Sequence, residues 1–383
     1  MNVFEPFSCS SGPKNARLVV VLEAWGEREA ALKRPLVGAS GQEFLRMLIE
    51  AGWADPRTAQ NIIDALWPDS RVAPETMLAL REYWLDKASM LWTNVFNLRP
   101  GPQSNDIELL CGPKAAVGEN YALPPLKQGK YILPQFLPHV DRLRRELLET
   151  RPNLVLVCGN VATWAILQAT NIGFIRGAIT SSPLVEGLKV LPTYHPAALF
   201  RKWDWRPIVL ADLMKTKHEQ GFPEIRRPAR KVLINPTIAE LEIFEKSLDE
   251  STILSVDIET AAKQITCLGF ATSKAEAVVI PFWGAGPEAP HYWSTASEEA
   301  AAWRLVRRLL SRPNPKLFQN GVYDLQYLSR MGFTVRNCQH DTMLLHHSLF
   351  PELPKGLGFL GSIYSNEAAW KLMRHDDSNK RDE

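Results

Sequence analysis

Cysteine is scarce. Cys9, Cys111, Cys158, Cys267 and Cys338 are far apart and form no C-x-x-C pair. This odd, scattered set excludes a disulfide framework and a paired zinc site, and a reducing cytoplasm fits it best. No apolar run approaches the ~20 residues needed to cross a bilayer. The N-terminus MNVFEPFSCS has no basic stretch leading into an apolar one, so neither export nor membrane insertion is expected. Charge of one sign is also lacking: 44 Lys and Arg face 42 Asp and Glu, a net charge of +2. That balance is too small to announce nucleic acid by bulk charge, so DNA binding needs local evidence. There is no internal repeat and no low-complexity tract.

What is present is ordinary globular material, 45% hydrophobic and 22% charged over 383 residues. At about 150 residues per domain this suggests two domains. The runs RLVVVLEAWG, MLWTNVFNL, NLVLVCG and LKVLPTYHP are short and β-branched and stop at Gly or Pro. The helical stretches GQEFLRMLIEAGW and NVATWAILQAT separate them. Alternation of this kind predicts α/β architecture with a mostly parallel sheet over residues 1–218. KTKHEQGFPEIRRPARK is polar and broken by proline, and 219–230 is read as a basic linker. A second α/β unit, 231–383, opens with KVLI and a helix marked by Asn235-Pro236. The strands TILSVDIET, ITCLGFAT and EAVVIPFW suggest an antiparallel meander, and SEEAAAWRLVRRLLS follows as a helix capped by Ser297.

Side chains two apart on a strand point the same way, so Asp257 and Glu259 put two carboxylates on one side of the sheet. Asn320 and Asp324, four apart, share a face if FQNGVYDLQYL is helical. Carboxylate clusters hold pairs of divalent cations that activate water and stabilise a phosphodiester's leaving oxygen. Each pattern alone is more often a solvated edge or a cap.

In this order, however, DIET, QNGVYDLQYL and HDTMLLHHSLFPELPKGLGFLGSIY resemble the 3′–5′ exonuclease domain of family A DNA polymerases, over about Lys231 to Trp370. The resemblance implies an RNase H-like fold with a mixed sheet, and Mg²⁺ or Mn²⁺ at a two-metal site held by Asp257, Glu259 and Asp324. It makes these three residues catalytic, Asn320 their companion and Asp341 structural. The family's third motif, Tyr-x-x-x-Asp, is missing after SIYSNEAAWK, and Asp376, Asp377 and Asp382 in the tail have no Tyr four residues ahead. No polymerase domain follows. The expectation is a proofreading exonuclease subunit of a split phage polymerase, completed by a separate polymerase chain and acting on DNA in the host cytoplasm.

In the first half, VVLEAWGEREAALKRPLVGASGQEFLRML resembles the opening motifs of the uracil-DNA glycosylase superfamily, especially its iron–sulphur class. There an E-A-P-G precedes G-x-P-F-V-G-x-x-G. TNVFNLRP, LVLVCGNVATWAIL and YHPAALFR resemble three later motifs, so four ordered matches span Arg17 to Arg201. The resemblance implies Glu23 as the acid near an attacking water, Asn94 as reader of the base edge and His195 on the loop that grips DNA. Leu36 stands where the family has its stacking Phe, and Trp25 replaces a Pro. Leu98 and His139 occupy two cysteine positions of the cluster, so no iron–sulphur cluster is expected. These departures favour a glycosylase-like module that binds DNA or a partner over an active glycosylase. A chain with both domains degenerate, acting as a non-catalytic DNA-binding scaffold, is the alternative, and an active uracil-DNA glycosylase is a further one. RKWDWRP, Arg201 to Pro207, interleaves two Trp with three basic residues, a mixture equally suited to stacking bases and to packing a helix.

Overall fold

The computed structural model describes residues 3–54, 74–102, 106–119, 121–286 and 289–367. It divides into two compact α/β units, one of residues 1–225 and 361–374, the other of 226–360 and 375–383. The tail aspartates Asp376, Asp377 and Asp382 lie outside the described residues.

The first unit carries a five-stranded sheet built from β1 (Leu18–Ala24), β2 (Met90–Phe96), β3 (Leu154–Cys158), β4 (Thr180–Ser181) and β5 (Lys189–Thr193). Its order is β2-β1-β3-β5-β4, parallel except for β4. Leu18, Val20 and Leu22 enter one core, whereas Val19 and Val21 enter the core on the opposite face. Burial on both faces explains why these strands read as unbroken apolar runs. Helices α1 (Glu27–Leu32), α2 (Ala39–Glu50) and α3 (Pro74–Lys87) come next in the chain, followed by α4 (Leu137–Thr150), α5 (Gly159–Leu167) and α6 (Arg206–Glu219). Phe44 and Met47 of α2 and Val209 of α6 cover one face, while Leu143 and Leu147 of α4 and Trp164 of α5 cover the other.

Strand β2 is a sheet edge, and the N-terminal segment closes it. Trp92 N–H donates to the Ser11 carbonyl at 2.7 Å and Ser11 N–H to that of Trp92 at 3.0 Å. The next residue must be glycine: Gly12 sits at φ +110°, and a Cβ there would overlap the Met90 carbonyl oxygen. Further along β2, the buried Arg142 guanidinium donates to Thr93 Oγ1 at 2.8 Å, to the Val95 carbonyl at 3.1 Å and to the Asn94 carbonyl. Its charge is met by Glu146, also fully buried, which accepts from Thr93 and Ser10 as well.

The expected linker at 219–230 begins later than its composition suggests. Lys189 Nζ is buried and donates to the carbonyls of Glu219, Phe222 and Glu224, and Ile225 packs against the first core. The polar segment is thereby fastened to the first unit as far as Ile225. Residues 361–367 also belong to this unit, where Lys215 Nζ donates to the Ser362 and Ser365 carbonyls.

In the second unit, β6 (Lys231–Leu233), β7 (Leu254–Ala261), β8 (Gln264–Ala271), β9 (Glu276–Pro281), β10 (Lys316–Phe318) and β11 (Cys338–Asp341) form a mixed sheet. Its order is β11-β10-β7-β8-β9-β6. The β7–β8–β9 meander is antiparallel, and β10 and β11 extend it in parallel, the arrangement expected of an RNase H-like unit. Helices α7 (Ile238–Ser247) and α8 (Ala296–Ser311) pack on it, followed by α9 (Val322–Arg330), α10 (Thr342–Leu349) and α11 (Leu357–Tyr364), of which residues 357–360 belong to this unit. Two helix starts differ from the sequence reading. Thr237 and Thr295 are the N-caps, each closing a capping box with the Glu three residues on, whereas Ser297 already lies inside its helix.

Two outcomes follow for stability. Arg142→Ala strands the buried Glu146 carboxylate and the Asn94 carbonyl, and should cost about 3–5 kcal/mol in urea unfolding. A Met pair at 142 and 146 should recover only part of that, because the Asn94 carbonyl then has no donor from Arg142. His139 is buried, and burial with Arg142 nearby lowers its pKa to about 4 from 6.5. The unfolded chain therefore takes up a proton that the fold refuses. Stability should be complete above pH 6.5 and fall as pH drops towards 4, and His139→Phe should flatten that decline in a melting-temperature series.

Candidate functional site

In a parallel sheet, side chains converge at the carboxyl ends of the strands, beside the point where successive crossovers turn in opposite directions. Here β2 lies on one side of β1 and β3 on the other, which puts that point between β1 and β3. A cavity of about 550 Å³ opens there. Glu23 reaches it from the end of β1, Asn94 from β2, Leu36 from the loop before α2 and His195 from just after β5. Four residues far apart in sequence thus share one wall.

Local backbone explains the arrangement. Gly159, at φ +88°, opens α5 where a Cβ would overlap Glu23 Oε1 and press on His195. Only glycine lets the acid and the imidazole meet at this strand end. Val161 N–H donates to Glu23 Oε1 at 3.4 Å. His195 Nδ1 accepts the Ala197 N–H at 3.1 Å and caps the short helix Pro196–Phe200. Burial holds its pKa below the usual value, so the neutral ring carries its proton on Nε2, as a donor.

Leu36 is held in the left-handed region, φ +52°, a conformation that costs a residue with a side chain about 1–3 kcal/mol. Two buried charged residues impose it. Arg81 donates to the Pro35 carbonyl at 2.9 Å, and Glu29 Oε1 accepts from Val37 and Gly38 at 3.1 and 2.9 Å. Neither Glu29 nor Arg81 stands out in the sequence, where both read as solvated helix charges. Asn94 is 2% exposed, and its side-chain Nδ2 has no hydrogen-bond partner. The two readings of RKWDWRP divide between its tryptophans. Trp205 stacks on Tyr194 at 4.0 Å on the cavity wall, whereas Trp203 is 55% exposed. Arg206 is spent on Glu43 and Glu50.

The residues at the expected cluster positions do not suit an iron–sulphur cluster. Leu98 has no donor atom and packs against the second core. His139 uses Nδ1 to accept the Asn97 N–H at 3.2 Å and sits edge-on to Phe4 and Phe96.

In the second unit, Leu254, Val256 and Ile258 of β7 are buried while Asp257 and Glu259 are exposed on the opposite face, as period-two alternation requires. Asp324, on the first turn of α9, is buried and accepts the Ile258 N–H at 3.0 Å. Burial first, then the Asp257 charge, raises its carboxyl to about 6. The helical-face argument for Asn320 fails: this residue precedes α9 in a left-handed conformation, φ +59°. Asp341 explains why, because its carboxylate accepts the N–H groups of Asn320 and Gly321 and also caps α10. Among the described residues, no three His, Cys, Asp or Glu side chains stand close enough to hold a metal, so Asp257, Glu259 and Asp324 are not drawn into a closed cluster. No described helix is long and apolar enough to cross a membrane.

Comparison with known proteins agrees with the first unit. No curated protein matches the chain. Among solved structures, the chain is similar to the catalytic core of RRP6 from Trypanosoma brucei, at 16% identity over 35% of this chain and 34% of that one, TM-score 0.27. It spans about a third of that core. It is also similar to the EXD2 exonuclease domain soaked in Mn and GMP, at 17% identity over 39% of this chain and 78% of that one, TM-score 0.24. The uracil DNA glycosylase superfamily pattern matches residues 9–217, the stretch that builds the parallel sheet and its cavity. The chain belongs to the uracil DNA glycosylase superfamily.

Proposed function

We propose that this is a DNA-processing protein whose first unit captures a nucleobase extruded from a DNA strand. The observation that carries the reading is the convergence of Glu23, Leu36, Asn94 and His195 on one cavity at the strand ends. An extruded base needs an amide to read its edge and apolar walls to replace its stacking neighbours. Asn94 supplies an unpartnered amide N–H, and Leu36 and Trp25 supply apolar surface. The neutral His195 ring and Glu23 also favour a second reading, hydrolysis of the N-glycosidic bond. Nε2–H would stabilise the charge that develops on the departing base, and Glu23 would orient the attacking water. A single strand containing one uracil should bind at least about tenfold more tightly to wild type than to Asn94→Ala. If uracil is released, Glu23→Gln should abolish release while leaving the strand bound. Equal binding by wild type and Asn94→Ala refutes base capture.

For the second unit we propose a 3′–5′ exonuclease that acts on DNA together with a phage family A polymerase chain. The exposed Asp257 and Glu259 on one face of β7, with the Asp257 charge acting on the buried carboxyl of Asp324, support this reading. Mg²⁺ or Mn²⁺ held there would supply an activated water and a charge clamp on the leaving oxygen. Asp324 would anchor the site to β7 through Ile258, and Asn320 would lie at the substrate edge. A 5′-labelled strand should be shortened by the chain with its polymerase partner and Mg²⁺, and the Asp257→Ala, Glu259→Ala double variant should cut that rate by at least about 10³-fold. Persistence of shortening in the double variant would sink the assignment.

A further inference from the structure

After the second unit the chain returns to the first. Helix α11 starts at Leu357 in the second unit, and its last turn, with Ser365 and Asn366 behind it, belongs to the first. The superfamily pattern ends at residue 217, so this segment lies outside it. Three side chains of the first unit hold residues 361–366. Lys215 Nζ donates to the Ser362 and Ser365 carbonyls at 2.7 and 2.6 Å, and Arg176 Nη1 donates to Ser362 Oγ at 2.9 Å. Glu219 Oε1 accepts from Asn366 Nδ2 at 2.9 Å. Gly177, at φ +73°, makes the approach possible, because a Cβ there would overlap the Ser362 carbonyl oxygen.

We propose that residues 361–366 are a strap that holds the His195 wall of the cavity in place, with Arg176 as the positioning residue between them. The effect of the strap on binding rests on the base-capture reading above. Arg176 is 2% exposed and grips the fully buried Asp212 twice, Nε to Oδ2 at 3.2 Å and Nη2 to Oδ1 at 2.8 Å. The same Oδ2 accepts from Thr193 Oγ1 at 2.7 Å. Thr193 ends β5, and the two residues after it, Tyr194 and His195, line the cavity. A backbone route runs alongside: Lys215 also donates to the Gly177 carbonyl at 2.8 Å, and the Gly177 N–H donates to the Pro192 carbonyl at 2.8 Å. Arg176 is joined to a further lining residue, since its backbone N–H donates to the Ile172 carbonyl at 2.9 Å. Removing the Ser362 hydroxyl takes an acceptor from a buried guanidinium. That group is rigid and planar, so turning towards another acceptor moves its whole fork against Asp212 and the end of β5.

The test uses the full chain carrying ¹⁵N-labelled histidine, in which the His195 ring nitrogens are identified by their disappearance in His195→Gln. Binding is read with a dye-labelled single strand carrying one 2′-fluoro-2′-deoxyuridine, which resists release of its base. Ser362→Ala should move the His195 ring resonances and weaken binding by about three- to tenfold. Ser365→Ala, whose hydroxyl donates to the Gly361 carbonyl at 2.7 Å within the strap, should leave both unchanged. In an Arg176→Gln background, or Arg176→Lys if that variant fails to fold, adding Ser362→Ala should change neither reading further. Unmoved His195 resonances in Ser362→Ala refute the strap whatever the strand does, and so do equal shifts in Ser365→Ala. A further shift in the Arg176 background removes Arg176 from the role. If the resonances move as expected but the strand binds wild type and Asn94→Ala alike, base capture falls while the positioning of His195 stands.

Discussion

The site of the first unit hangs on the buried Arg142 guanidinium. Strand β2 has a neighbour on one side only, so the carbonyls on its other side must find partners elsewhere or leave the strand end free to fray. The N-terminal segment answers for Trp92, and Arg142 answers for Asn94. The same cation holds Thr93 and is neutralised by Glu146 on the next turn of its helix. Helix, edge strand and N-terminal segment are thus joined in one polar knot, and the residue that reads the cavity is the one whose backbone is tied. An amide with no partner of its own keeps a defined position only because the strand beneath it cannot shift.

Strands were legible because burial on both faces leaves nothing polar in the run, and LVVVL and LVLVC announce themselves. Glu23, Leu36, Asn94 and His195 were legible through motif order, and the sheet brings their segments to a single cavity. The supports were not legible. In RLRRELLET, Arg142 and Glu146 look like a solvated pair four residues apart on a helix surface, but the buried face of α4 is wide enough to take in His139 as well. Glu29 and Arg81 were hidden in the same way. The cap at Ser297 was misplaced because STAS offers several hydroxyls, and Thr295 wins by having Glu298 three residues on. Asn320 was placed on a helical face because the spacing allowed it. Asp341, twenty-one residues later in the chain, captures its backbone and starts the helix after it.

The two units meet the problem of a buried acid differently. Glu29 is compensated by two backbone N–H groups and serves as a brace for the strained Leu36 loop. Asp324 accepts the Ile258 N–H and its own backbone N–H, yet burial and the Asp257 charge raise its carboxyl to about 6. A carboxyl raised in this way is destabilising when ionised unless positive charge arrives, so the second unit carries an uncompensated electrostatic cost where the first carries a completed brace. Stability is commonly sacrificed in this way where a fold must leave room for a ligand.

The pairing of Ser11 with Trp92 has a consequence for how the chain folds. Ser11 and Trp92 stand far apart in the sequence, with β1 between them, and β1 needs β3 as well as β2 before its own two sides are covered. Closing so long a loop costs chain entropy that two hydrogen bonds alone do not repay, so the pairing depends on a sheet that is already formed. Gly12, which admits the segment against Met90, is then the latch of a seam that shuts behind the finished sheet.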